Sequence, residues 1–165
     1  MDEVWLAGKG PSIDDYDWSQ ANWYRFGINE ATFLVPDCIG AFACDYTMLN
    51  KFIPLRGICV FINTIHMPPY DFLIYFRWEL GVHIEDHHAT LPVAIQVLYW
   101  MGARTIHLVG CDSLTGIYEY SPNVTKGTNS DCFNSINHHL KLIMDRLTDL
   151  TIILEHTECP QKLVL

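Results

Sequence analysis

Apolar runs of strand length recur along the chain, each followed by a turn or by a segment with helical spacing: Val4–Gly8, Trp23–Asn29, Cys38–Cys44, Gly57–Asn63, Arg104–Cys111 and Thr151–Glu155. Several are apolar at consecutive positions rather than at alternate ones, the pattern of strands covered on both faces in a parallel sheet. Between Thr90 and Cys111 the pattern resolves into a unit. Thr90 can cap a helix with Pro92 near its first turn, Val93 to Met101 is apolar almost all round and predicts a deeply buried helix, Gly102 ends it, and Arg104–Val109 is the next strand. A second unit closes the chain. Asn134 or Ser135 can cap a helix whose Ile136, Leu140, Ile143 and Leu147 share one face, and Leu150–Leu154 follows as a strand. Residues 64–89 resist assignment: Phe72–Phe76 reads as a strand or a buried aromatic hairpin, and Pro68-Pro69 breaks any helix before it.

This helix–strand alternation predicts an α/β protein with a Rossmann-like, open, mostly parallel sheet, helices on both faces and right-handed crossovers. A chain of 165 residues fills one core and is too short for two ordinary domains, so residues 1–165 are expected to form a single domain. In such sheets ligands lie outside the carboxyl ends of the strands. Gly8, Asn29, Asp45 and Asp112 each follow an apparent strand, so all four are expected at one edge. The first of these ends is the most suggestive. In Val4-Trp5-Leu6-Ala7-Gly8-Lys9-Gly10-Pro11-Ser12 the two glycines lack a Cβ, so the backbone can turn sharply, approach a ligand and aim N–H groups at an anion. Pro11 and Ser12 suit the first turn of a helix, whose N-terminus favours phosphate. Gly-Lys-Gly is equally an ordinary tight turn, since it lacks both the dinucleotide fingerprint and the Lys-Ser/Thr pair of a P-loop.

Composition narrows the function classes. A chain that is 50% hydrophobic and 13% aromatic is not disordered, and no apolar run reaches the length of a membrane span. Met1 leads at once into Asp2 and Glu3 with no basic stretch and no long apolar run, so no secretory signal is expected. The six cysteines show no Cys-x-x-Cys spacing and sit mostly in apolar runs, which reads as reduced, buried thiols in a soluble, cytoplasmic protein. The sequon Asn123-Val124-Thr125 is therefore read as chance. With 10 Lys and Arg against 19 Asp and Glu the formal charge is −9, and no basic track offers itself to nucleic acid. A small phosphorylated ligand stays compatible with that charge, because backbone amides and one or two local cations suffice to hold it. Lys9, Arg25 and Lys126 are the cations nearest the suspect loops.

Taken together, the Gly8-Lys9-Gly10-Pro11-Ser12 turn, Gly27-Ile28-Asn29-Glu30-Ala31, Thr90 with the helix to Met101-Gly102-Ala103, and Ile106-His107-Leu108-Val109-Gly110-Cys111-Asp112 form an ordered set. The set resembles the nucleotide-binding core of bacterial CMP-sialic-acid-dependent sialyltransferases. It is also similar to a wider Gly-x-Gly-Pro-Ser group of phage and prokaryotic proteins that includes the archaeal 6-hydroxymethylpterin diphosphokinase. The sialyltransferase resemblance implies nucleotide contacts from Gly8, Lys9, Gly10 and Asn29, a position near the nucleotide for Thr90, and a loop whose Tyr118 and Tyr120 reach the phosphate. Three departures stand out. Lys9 replaces the usual Asn; the family's basic His falls where this chain reads Phe133-Asn134-Ser135, with His138 and His139 a few residues later; and most of the long acceptor lid is missing. Nucleotide binding is thus better supported than glycosyl transfer.

Each candidate has a plainer reading beside the functional one. Asp112 can hold a ribose or a metal, or simply cap the next turn. Asn29 can bond a base or phosphate, or satisfy backbone at a strand end, and Asp45 poses the same choice. Ser12 belongs to the suspected phosphate turn. Asp86-His87-His88 invites a metal, but adjacent residues rarely share one ion and no third ligand has suitable spacing, so no metal is expected. His138 and His139 fall on the polar side of the last helix and are the candidate catalytic bases, against a reading as solvated helix residues. Tyr118 and Tyr120 lie in a Gly/Ser/Asn/Thr-rich loop, which favours closure over a ligand. The expectation is a nucleotide or nucleotide-sugar binding protein with glycosyl or phosphoryl transfer as its activity, acting alone or as a homo-oligomer. The alternative is a non-catalytic protein that sequesters a nucleotide, such as a phage protein removing a host signal.

Overall fold

A computed structural model describes residues 1–43, 48–52, 59–62, 73–74, 89–115, 119–124, 131–155 and 161–162. All six apolar runs contain strands, β7 over the whole of its run and the others with shifted or shortened ends: β1 (Glu3–Ala7), β2 (Arg25–Ile28), β3 (Gly40–Ala43), β4 (Cys59–Ile62), β6 (Thr105–Val109) and β7 (Thr151–Glu155). The ambiguous aromatic stretch supplies a two-residue strand, β5 (Leu73–Ile74), and a polar pair near the C-terminus supplies β8 (Gln161–Lys162). The strands form one sheet in the order β5-β4-β3-β2-β1-β6-β7-β8, parallel throughout except for antiparallel β8. The chain starts in the middle and works outward, first to one side and then to the other. That order puts a reversal between β1 and its neighbours β2 and β6, and the carboxyl ends of these three parallel strands share one edge.

The two sheet faces are covered differently. Val4, Leu6, Phe26, Ile28, Phe42, Ile106, Leu108, Ile152 and Leu154 pack under α2 (Thr90–Trp100) and α3 (Asp131–Arg146), while a single helical turn, α1 (Leu49–Phe52), follows β3. Leu91 to Leu98 are all buried, as their near-continuous apolar sequence predicts, and the side-chain amide of Gln96 is accommodated there by donating to Pro92 O at 3.3 Å. Helix α3 is one-sided instead, with Leu140 and Ile143 buried toward the core. On the opposite face Trp5, Ala7 and Val109 pack with Ile13, Ala21, Ala31 and Val35, which belong to short 3-10 helices and their flanking turns rather than to α-helices. In the middle of that face the His107 ring stacks on Trp5 at 4.2 Å and meets Glu155 at 2.6 Å and Glu3 at 2.8 Å.

Two helix boundaries differ from the expected ones. The cap of α2 is Ala89, with Thr90 inside the first turn; Gly102, at φ +105°, ends that helix as expected. Helix α3 starts at Asp131, so Asn134 and Ser135 lie within it rather than at its cap. An acidic first residue complements the positive end of the helix dipole, a signal outweighed in the sequence by the more familiar Asn-Ser cap pair. Among the described residues no helix is long and apolar enough to cross a membrane.

Candidate functional site

The turn after β1 and the turn after β6 pack directly on one another. Gly8 N–H donates to Val109 O and Gly10 N–H to Gly110 O, both at 2.7 Å. Ser12 then ties the turns together through side chains: its N–H and Oγ donate to Asp112 Oδ2 at 3.1 and 2.9 Å, and its Oγ accepts from Gly110 N–H at 3.2 Å. This contact explains the glycines more simply than ligand approach does. A Cβ on Gly10 would lie 2.1 Å from Asp112 Oδ2 and 2.8 Å from Gly110 O, although Gly10 itself has an ordinary φ of −71°. The left-handed residue is Gly110, at φ +66°.

The expected phosphate cradle changes accordingly. The N–H groups of Gly8, Gly10 and Ser12 are bonded as above, Ile13 N–H donates to Gly10 O, and Pro11 has none. Pro11–Ile13 is a three-residue 3-10 turn, too short to supply the dipole of a true helix N-terminus. With those four N–H groups engaged, an anion at this turn would draw on side chains as well. Asp112, 2% exposed and bound to Ser12, opens the next 3-10 turn and clamps the two loops.

The side chains able to do so gather beside β2. Glu30, 8% exposed, sets Oε2 3.6 Å from Lys9 Nζ, and its Oε1 contacts Lys51 Nζ. Lys9 Nζ also lies 5.1 Å from the centre of the Tyr120 ring, and Lys9 O accepts from Ser121 N–H at 2.8 Å, so the loop after β6 folds over the β1 turn. Next to Glu30 stands Asn29, a non-glycine residue in the left-handed region at φ +51°. Its Oδ1 is shielded from solvent and accepts no hydrogen bond from the described residues. Buried amide oxygens are seldom left so, whereas the left-handed backbone is one that Asn and Asp adopt readily, as Asp37 does at φ +52°.

Gly8, Lys9, Gly10, Ser12, Asn29, Asp112 and Tyr120 thus come together at one edge of the sheet. Thr90 begins α2; since that helix runs through Met101–Arg104 into the start of β6, its first residue lies toward the same edge. His138 and His139 sit lower. With α3 starting at Asp131 they are its eighth and ninth residues, about 10 Å along the axis from its first turn, their rings 5.5 Å apart, His138 exposed and His139 half-buried. Arg25 is a structural cation: its guanidinium donates to the carbonyls of Asn22, Pro36, Trp18 and Ala21 at 2.8 to 3.1 Å, at the other end of β2. Asp45, Tyr118, Lys126 and Asp86-His87-His88 lie outside the described residues.

Two members of the group carry no signal of their own in the sequence: Glu30 falls inside the Gly27–Ala31 motif, and Lys51, 21 residues further on, bears no local spacing to it. The available signal was scarcity: in a chain with 10 Lys and Arg, a lysine soon after a sheet strand stands out.

The class defined by this fold is that of open α/β sheets whose site lies at the strand carboxyl ends. No protein-family model and no curated protein matches the chain. Among solved structures it is similar to the sialyltransferase CstII from Campylobacter jejuni in complex with a substrate analogue, cytidine-5'-monophosphate, at 14% identity and a TM-score of 0.54 over 93% of this chain and 79% of that one. It is likewise similar to the sialyltransferase CST-II in complex with trisaccharide acceptor and CMP, at 16% identity and a TM-score of 0.56 over 93% of this chain and 80% of that one. The chain has a fold distantly like that of these sialyltransferases, which accords with the sialyltransferase side of the resemblance and does not extend to the phage or pterin kinase side.

Proposed function

We propose that this protein binds a nucleotide or nucleotide-sugar at the carboxyl edge of its sheet, with the phosphate near Lys9 and the nucleoside against Asn29, in a glycosyltransferase-like arrangement. The observation that carries the reading is Asn29, next in sequence to Glu30 of the Lys9–Glu30 pair, with a left-handed backbone and a shielded Oδ1 that accepts no hydrogen bond among the described residues. A ligand O–H or N–H donor would satisfy that oxygen. Two further facts support it: the fold likeness is to sialyltransferases crystallised with CMP, and Tyr120 already lies against Lys9. Within the same reading His138 and His139 would supply the base for a transfer step, but their depth along α3 makes binding the better supported half.

The test is calorimetric titration of CMP into wild type and Asn29→Gly. Glycine keeps the left-handed backbone without strain and removes only the amide, so the fold should persist. The expected loss is roughly tenfold in affinity, one hydrogen bond's worth. Equal CMP affinity in the two proteins, or no binding to wild type, would contradict the proposal.

A further inference from the structure

We propose that Lys9 and Lys51, held on the shared carboxylate of Glu30, form a phosphate seat, so that the ligand class of this site is the phosphorylated nucleoside and not the bare one; the inference rests on the nucleotide reading above and adds Lys51 to it. The starting point is a physical oddity. Glu30 is 8% exposed, and a carboxylate so placed needs strong compensation, which two ammonium groups from separate segments of the chain supply. Both lysines stand here in a chain whose formal charge is −9.

The geometry then suits an anion in particular. Lys9, with 19% of its side chain exposed, lies at the floor beside the Tyr120 ring, while Lys51, at 47%, reaches solvent from α1. Each ammonium has three N–H donors, and a phosphate group offers three acceptor oxygens, so both lysines can donate to one phosphate while keeping Glu30. Glu30 is a positioning residue in this scheme. By restraining two long side chains beforehand it lowers the ordering entropy that a ligand would otherwise have to meet. Side chains add to a turn in which the N–H groups of Gly8, Gly10, Ser12 and Ile13 are already bonded within the protein.

The experiment compares inorganic pyrophosphate, CMP and cytidine on wild type, Lys51→Gln and Lys51→Arg by calorimetry. Lys51→Gln should weaken CMP and pyrophosphate by roughly tenfold or more, the scale of a charged hydrogen bond, leave cytidine unchanged, and be largely rescued by Lys51→Arg. A parallel measurement needs no variant: in wild type, CMP and pyrophosphate should slow acetylation of Lys9 and Lys51, read by mass spectrometry, and cytidine should not. Unchanged CMP affinity in Lys51→Gln, or equal losses for CMP and cytidine, overturns the seat while leaving the nucleotide reading in place. Pyrophosphate binding without CMP binding overturns the nucleotide reading and, with it, the ligand class stated here. If wild type binds neither and no ligand protects the lysines, both fall.

Discussion

Cys111 stands between the left-handed Gly110 and the clamping Asp112, and the residue is 5% exposed. Burial, then the charge of Asp112, push its pKa up from the usual thiol range to about 12, against a smaller opposing effect of the Gly8 backbone. Burial likewise raises Cys38, to about 11. The sign for stability follows from proton binding: the folded thiol holds its proton more tightly than the unfolded one, so its contribution is complete below about pH 9 and is lost as pH rises toward 12. Urea unfolding of wild type and Cys111→Ala between pH 8 and 10.5 should therefore show wild type losing its advantage above pH 9 by roughly 1.4 kcal/mol per pH unit. Parallel pH slopes for the two proteins would mean that the thiol is not buried in the native state. The same residue shows where sequence was a good guide. A cysteine in an apolar run is expected to be a buried, reduced thiol; of the two with described side chains, both free, Cys111 is buried and Cys38 only partly so.

Among the elements, strands were legible because a two-sided sheet demands uninterrupted apolar runs, and each of the six runs contains one. Helix ends were less legible, since caps are local preferences worth about 1 kcal/mol that packing overrides easily. β8 escaped notice because Gln161–Lys162 has no apolar signature and exists by pairing with β7. At the site, strand order alone placed Gly8, Asn29 and Asp112 on one edge, whereas the purpose of the glycines depended on a partner about 100 residues away. That turn-on-turn contact yields its own prediction. Gly10→Ala forces a methyl against Asp112 Oδ2 and Gly110 O, and should destabilise the fold by roughly 1–3 kcal/mol in chemical or thermal unfolding, before any ligand is considered. A midpoint equal to that of wild type would mean the two turns do not pack as described.

For the whole molecule, the sheet order separates two ends with different duties. At the amino edge, Arg104 pairs with Asp149 at 2.8 Å and lies over Tyr99, whose hydroxyl donates to Asp149 at 2.7 Å, fastening α2, β6 and the approach to β7. The hydrogen bonds from Tyr99 and Arg104 hold the exposed Asp149 carboxyl below its usual range, as expected of a surface staple. At the carboxyl edge the Gly8–Ser12 turn, Asn29, Glu30, Lys51 and Tyr120 gather instead a left-handed asparagine, an amide oxygen with no hydrogen bond among the described residues, and two lysines on one carboxylate. If the proposed nucleotide binds at this edge, titrating CMP into isotopically labelled protein should give saturable backbone amide shifts clustered at Lys9, Asn29, Glu30, Lys51 and Tyr120, with Asp2, Arg104 and Thr151 at the amino edge unmoved. Shifts centred on the amino edge, or none at millimolar CMP, would contradict it.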